Sequence, residues 1–203
     1  MEIRLIRPEL KSSPRPAGVV LDTIVLHSTA GRERPDNSVA NAVSTLRSKG
    51  YAYHYLIARD GTIYKGCASM RMCSHAGSSY GPQEQAAGVS MKQYPYNSSN
   101  VAKKRVHHFE AGCSVNRYSI GISFVNMNDG SESYTDAQIE ACQSLISVLA
   151  GALPTIKYVT THYEVSPKRK SDPFGPGFDL GAIGAEVDLE VWKFPDRARV
   201  ERP

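Results

Sequence analysis

The sequence predicts an α/β domain, a single domain with a central mixed β-sheet flanked by helices. Three observations carry that expectation. β-rich runs alternate with segments of helical periodicity, which is the pattern of a sheet covered by helices. One pair of runs is joined at Asp60-Gly61, a strong short hairpin signal, so the sheet is mixed rather than wholly parallel. At 203 residues the chain fits one well-packed domain, given the usual ~100–200 residues per domain.

The elements follow in order. "DTIVLHST" (22–29) reads as a buried strand. "PDNSVANAVSTLRSKG" offers Asp36, Asn37 and Ser38 as caps, then Val39, Ala42, Val43 and Leu46 at helical spacing before Gly50. "YAYHYLIARDGTIYKG" supplies the two hairpin strands, and "SIGISFV" (119–125) another strand. In "YTDAQIEACQSLISVLAG", Thr135 and Gln138 form a capping box ahead of Ile139, Cys142, Leu145, Ile146 and Leu149. "IKYVTTHY" (156–163) is a last strand. The stretch 79–118, rich in Ser, Gly, Asn and Tyr, reads as an irregular insertion of the kind that walls a groove. The tail from 186 to 203 is too short for a separate binding module.

Bulk properties narrow the function. The formal charge of +4 and pI of about 8.8 give a mild bias towards anionic partners. No clustered basic stripe or recognition helix accompanies it, so a nucleic-acid partner is not expected. No apolar run approaches the ~20 residues that cross a bilayer, and no membrane association is expected. The N-terminus lacks an apolar h-region, so synthesis in the cytoplasm without a signal peptide is expected. Cys67, Cys73, Cys113 and Cys142 form no CxxC pair. Reduced, partly buried thiols are expected, with a Cys67–Cys73 bridge only in an oxidising compartment.

Three metal-type ligands fall at the ends of strands. His27 ends the first, His162 ends the last, and Asp172 lies ten residues beyond on a loop that Pro167 and Pro173 keep irregular. Two imidazoles and a carboxylate with a fourth position open is the pattern of a catalytic zinc site, and the donor set suits zinc. Lys170, two residues before Asp172, would place an ammonium near the ion to stabilise an oxyanion. Lys168 and Arg169 read as a solvated basic turn. Glu164 reads as a solvated surface glutamate. His54 neighbours Tyr53, and strand alternation would turn it to the packed side as a hydrogen-bonded structural histidine. His107 and His108, near Cys113, point oppositely on an extended strand and read as surface residues.

"IVLHST", "YHYLIARDGTIYKG", "SHAG", "SIGISF" and "HYEVSPKRKSDPFGPGFD" occur in an order that resembles the zinc N-acetylmuramoyl-L-alanine amidases of type 2. That family includes phage lysozymes, recycling amidases and peptidoglycan recognition proteins. The resemblance covers roughly residues 20 to 180, and H-x7-K-x-D-P is its most specific element. It implies Zn2+ held by His27, His162 and Asp172, with Lys170 and Tyr53 as catalytic residues. It also implies that the segment of His75 lines the substrate groove, so that His75 either touches substrate or stabilises its loop. Asp172 resembles the recycling branch, where many phage and recognition members carry Cys. Ser123 departs from that branch, whose members carry a glutamate there as general base, and a lone serine hydroxyl is a poor proton acceptor.

The implied reaction is hydrolysis of the amide between the lactyl group of N-acetylmuramic acid and L-alanine in peptidoglycan or a muropeptide. The expected role is cell-wall lysis by a monomer acting on the wall after release or dedicated export. A non-catalytic muropeptide-binding module of the same fold, or a cytoplasmic anhydro-muropeptide recycling amidase, are the alternatives. Tyr80, Tyr94 and Tyr96 of the insertion would stack on sugar faces or pin the loop.

Overall fold

The strands are β1 (Ile3–Leu5), β2 (Thr23–Ser28), β3 (Tyr55–Ile57), β4 (Ile63–Lys65), β5 (Ser119–Phe124), β6 (Tyr158–Thr161) and β7 (Glu190–Val191). The structure is a computed structural model, and it describes residues 2–31, 38–77, 79–88, 114–167 and 169–195. The seven strands form one sheet in the order β1-β4-β3-β5-β2-β6-β7. The β3–β4 hairpin is antiparallel and the remaining pairs are parallel. This is the mixed α/β sheet that the sequence predicts. Gly61 makes the hairpin turn with φ +82, and a Cβ there would lie 2.7 Å from the Ala137 carbonyl oxygen.

Every residue of β2 and β5 is buried, which places both strands in the middle of the sheet. Side chains alternate across them. Ile24, Leu26, Ile120, Ile122 and Phe124 form one layer with Cys142, Leu145, Ile146 and Leu149 from the long helix Asp136–Ala152. Each such fully buried side chain contributes roughly 1.5–3 kcal/mol by leaving water. The helix starts in the expected capping box. Thr135 Oγ1 accepts from Gln138 N at 3.1 Å, and Gln138 Oε1 accepts from Thr135 N at 3.3 Å.

The other face is covered by α1 (Ser38–Lys49), through Val43 and Leu46 on Leu56, and by a second apolar group of Val25, Tyr118, Val165, Trp192 and Phe194. Among the described residues, α2 (Pro82–Ala86) is followed by three further helices. They are α3 (Asp136–Ala152), α4 (His162–Val165) and α5 (Leu180–Glu186). Among the described residues, no helix is long and apolar enough to cross a membrane.

The structure departs from expectation in three places. First, the last strand stops at Thr161, and His162 opens the single turn α4 instead of ending a strand. Thr161 Oγ1 caps that turn by accepting from Glu164 N at 3.1 Å, an N-cap that the hydroxyl makes favourable. Second, Cys67 and Cys73 are joined as a disulfide rather than standing as reduced thiols. The turn between them is pinned by the Ser13–Met72 bridge, and both sulfurs enter one buried cluster. Third, Tyr80 is buried, with its ring 5.9 Å from that of Phe194 and 6.4 Å from that of Trp192, so it anchors the core and offers no platform for sugar. The tail residues up to Phe194 pack on the same sheet, since β7 pairs with β6 and Trp192 Nε1 donates to Gln85 Oε1 at 2.7 Å. Tyr94, Tyr96, His107, His108 and Cys113 lie outside the described residues.

Candidate metal centre

The carboxyl ends of parallel strands are where open α/β sheets gather ligands. His27 is the second-last residue of β2, and His162 follows directly on β6, its neighbour. Asp172 is returned to them by backbone ties: Tyr163 N donates to Asp172 O at 2.9 Å, and Lys170 N donates to Ser166 O at 3.0 Å. Ser28 N then donates to Asp172 Oδ2 at 3.2 Å, which aims the carboxylate at the strand end.

The ligand atoms of His27, His162 and Asp172 all lie within 4.8 Å of one another. Asp172 Oδ2 is 3.1 Å from His162 Nδ1 and 3.6 Å from His27 Nδ1. Zinc bonds of about 2.0–2.1 Å in a tetrahedron require ligand atoms ~3.3 Å apart, so these two edges suit that ion. His27 Nδ1 is buried and has no hydrogen-bond partner among the described atoms. A buried polar atom left in that state is costly and demands an explanation, and a cation between three donors supplies one. The residues fit the metal that the sequence implies.

The charges agree with that fit. Burial pulls the His27 imidazole down to about 3 and also lowers His162, so both rings are neutral. Burial alone would raise the Asp172 carboxyl, but the adjacent His162 and His27 outweigh it and hold the group well below the usual carboxylate range. Neutral imidazoles and an ionised carboxylate are the forms that bind metal. A second group of metal-type side chains, His54 with Cys67 and Cys73, has no donor to offer. Its sulfurs are bonded to each other, and both ring nitrogens of His54 are engaged.

The other expected site residues are distributed as follows. The Tyr53 ring packs on His27 with centroids 5.0 Å apart, and burial raises its hydroxyl's pKa, leaving a donor rather than a base. Lys170 is half-buried on the metal loop; burial lowers its ammonium's pKa while Asp172 opposes that. Ser123 is the register partner of His27 on β5, and its buried Oγ has no well-formed hydrogen bond. His54 has the structural role expected, with Nδ1 accepting from Gly121 N at 2.9 Å and Nε2 donating to Arg71 O at 2.8 Å. The expected alternation with Tyr53 does not hold, because β3 begins only at Tyr55. Both rings approach site imidazoles, His54 coming within 5.8 Å of His75.

His75 differs most from expectation. It is buried, and its two nitrogens are taken by His27 Nε2 at 2.9 Å and Ser119 Oγ at 3.1 Å, so no polar atom of the ring is left for substrate. Glu164 is buried rather than solvated, and its Oε2 accepts from Phe194 N at 2.9 Å. Arg169 is not a solvated turn residue either, since it donates to Ala76 O at 2.6 Å and Ser166 Oγ at 2.7 Å. Lys168 lies outside the described residues.

Sequence reasoning missed three contributors behind the ligands. Ala76 O accepts from His162 Nε2 at 3.2 Å, which turns Nδ1 of that ring towards Asp172 Oδ2, 3.1 Å away. Asn116 Oδ1 accepts from both His75 N and Ala76 N, and Ser119 holds the far side of the His75 ring. One signal was available for Ser119. Ser119, Gly121 and Ser123 alternate with Ile120, Ile122 and Phe124, a row of small residues that leaves room for rings.

Comparison with known families decides the class. The N-acetylmuramoyl-L-alanine amidase family model matches residues 17–175. The chain belongs to the N-acetylmuramoyl-L-alanine amidase family. None of the curated proteins matches it at a significant level. Among solved structures, this amidase-family chain is similar to a selenomethionine derivative of AmpD, with TM-score 0.62, 24% identity, and 92% of this chain and 94% of that one covered. It is similar to the N-acetylmuramoyl-L-alanine amidase LysC from Clostridium intestinale URNW, with TM-score 0.59, 21% identity, and coverage of 94% and 99%. It is also similar to the amidase AmiD from E. coli, described in complex with the substrate anhydro-N-acetylmuramic acid-L-Ala-D-gamma-Glu-L-Lys. There the TM-score is 0.61, the identity 22%, and the coverage 91% of this chain and 64% of that one. These likenesses show that the amidase-family chain shares their fold.

Proposed function

We propose that the chain is a zinc-dependent amidase that hydrolyses the bond between the lactyl group of N-acetylmuramic acid and L-alanine in peptidoglycan. His27, His162 and Asp172 are the ligands in this reading. The observation that carries it is the buried triangle of His27, His162 and Asp172 with the unpartnered His27 Nδ1 facing into it, in a chain of this family. A muropeptide in the AmiD complex supports the substrate class. When bound, zinc supplies a Lewis acid and a water that ionises at about pH 7.

The chain's own groups supply the rest. Lys170 lies on the metal loop, where burial lowers its ammonium's pKa and Asp172 opposes that, and we assign it to the negative charge that develops on the amide oxygen. Tyr53 retains its proton, and we assign its hydroxyl as a donor to the departing alanine nitrogen. Glu164 is assigned no role, and its Oε2 accepts from the backbone of Phe194. Ser123 in place of a glutamate supports wall lysis over recycling, with action on the wall after release from the cytoplasm.

Metal analysis with product analysis tests this reading. The purified protein should carry about one zinc per chain. Digested sacculi gain free L-alanine amino ends and no new reducing sugar ends. His162→Ala protein that kept both its zinc and its activity would sink the assignment.

A further inference from the structure

Ser119 has one hydroxyl proton, and it donates that proton to Val115 O at 2.5 Å. Towards His75 it can therefore only accept, so His75 Nε2, 3.1 Å away, carries the ring's proton. His75 Nδ1 is then bare and accepts from His27 Nε2 at 2.9 Å. That leaves His27 Nδ1, the buried atom without a partner, as a lone pair facing His162 and Asp172. The direction of every bond in the chain His27–His75–Ser119–Val115 is fixed from its far end.

We infer that His75 is a positioning residue that sets the tautomer of His27 for metal binding, with Ser119 orienting it. The inference rests on the reading that His27 is a zinc ligand. Ligating histidines usually donate their second N–H to a carboxylate, a backbone carbonyl or water, and such partners fix the ring and tune the metal. Here another imidazole takes that place. Construction around it is consistent with this task. Asn116 Oδ1 holds the backbone N–H groups of His75 and Ala76 at 3.1 and 2.8 Å. Gly121 provides the floor, since a Cβ there would lie 2.6 Å from His75 Cγ. The same short segment serves both ligands, because Ala76 O holds His162 Nε2. His75 and Ala76 together turn both imidazoles to present Nδ1.

The test uses the native zinc-loaded protein and two variants. Nitrogen-15 spectra of the histidine rings should show His75 protonated at Nε2 and bare at Nδ1, and His27 protonated at Nε2. Chelator competition should show His75→Ala binding zinc ~10–100-fold more weakly. His75→Asn, whose amide oxygen can stand where Nδ1 stands, should recover most of that loss. A native protein with His75 protonated at Nδ1 overturns the inference, and this reading needs no variant to fold. So does His75→Ala within about threefold of native affinity, or His75→Asn no better than His75→Ala. A native chain that takes up no zinc overturns the metal reading itself, which separates the two failures.

Discussion

His162 donates from Nε2 to the carbonyl oxygen of Ala76 at 3.2 Å. The same oxygen receives Nη2 of Arg169 at 2.6 Å, so a metal-loop cation and a candidate ligand share one acceptor. Removing the cation should loosen the loop without removing the ligand. Arg169→Ala is expected to cost about 1–2 kcal/mol in urea unfolding, the lower range for a partly buried charged hydrogen bond. Its zinc affinity should fall less than about tenfold, because His162 keeps its carbonyl. Unchanged stability would contradict the shared-acceptor account.

Tyr53 and Lys170 approach the triangle without belonging to it, so their loss should separate rate from metal content. Lys170→Ala should lower kcat by ~10²–10³ with zinc retained, the usual effect of losing one oxyanion donor. Tyr53→Phe should lower kcat by at least about tenfold, equivalent to ~1.4 kcal/mol of barrier. If neither variant loses that much, the roles assigned to both are wrong.

Stability should depend on pH through buried imidazoles. Burial pulls His54 down to about 4, against ~6.5 in an unfolded chain. Between those values the unfolded chain binds a proton that the native ring refuses, so stability falls as the pH drops. The stabilisation is complete above about pH 6.5 and is lost progressively towards pH 4. His27 and His162 act in the same direction when no metal is bound. Urea unfolding of zinc-free protein at about pH 7.5 and 5 should differ by about 2 kcal/mol from His54 alone. A flat profile would refute the buried neutral state.

The Cys67–Cys73 bridge closes a loop of six positions, and a chain-entropy estimate for so short a loop is ~2 kcal/mol. Reductant should lower unfolding stability by about that amount, and intact mass should rise by a pair of hydrogens. Ser69 O and Arg71 O inside this loop bond Arg15 and His54, so the loss should spread to the strand beside His75.

Much of this architecture was legible in the sequence because its signals are local. The β-rich runs of β2 and β5, the turn at Asp60-Gly61 and the capping box at Thr135 each act within a few residues, and all appear as read. The edge strands β1 and β7 have three and two residues, too few for a period to show. The helix α5, "LGAIGAE", contains two glycines and carries little helical propensity of its own. His162 reads as a strand residue until the Thr161 cap is seen. His75 was the hardest case, because its partners His27 and Ser119 are 48 and 44 positions away. Nothing in "SHAG" announces contacts at that range.

The tie from Ser28 N to Asp172 Oδ2 spans 144 positions of a 203-residue chain. A chain emerging from the ribosome therefore lacks the third donor until most of the domain has been made. Capture by all three donors therefore waits for residue 172, and the ion's preference for the native over the unfolded chain then adds to global stability by mass action. For a peptidoglycan amidase, such an order of events keeps every unfinished copy inactive.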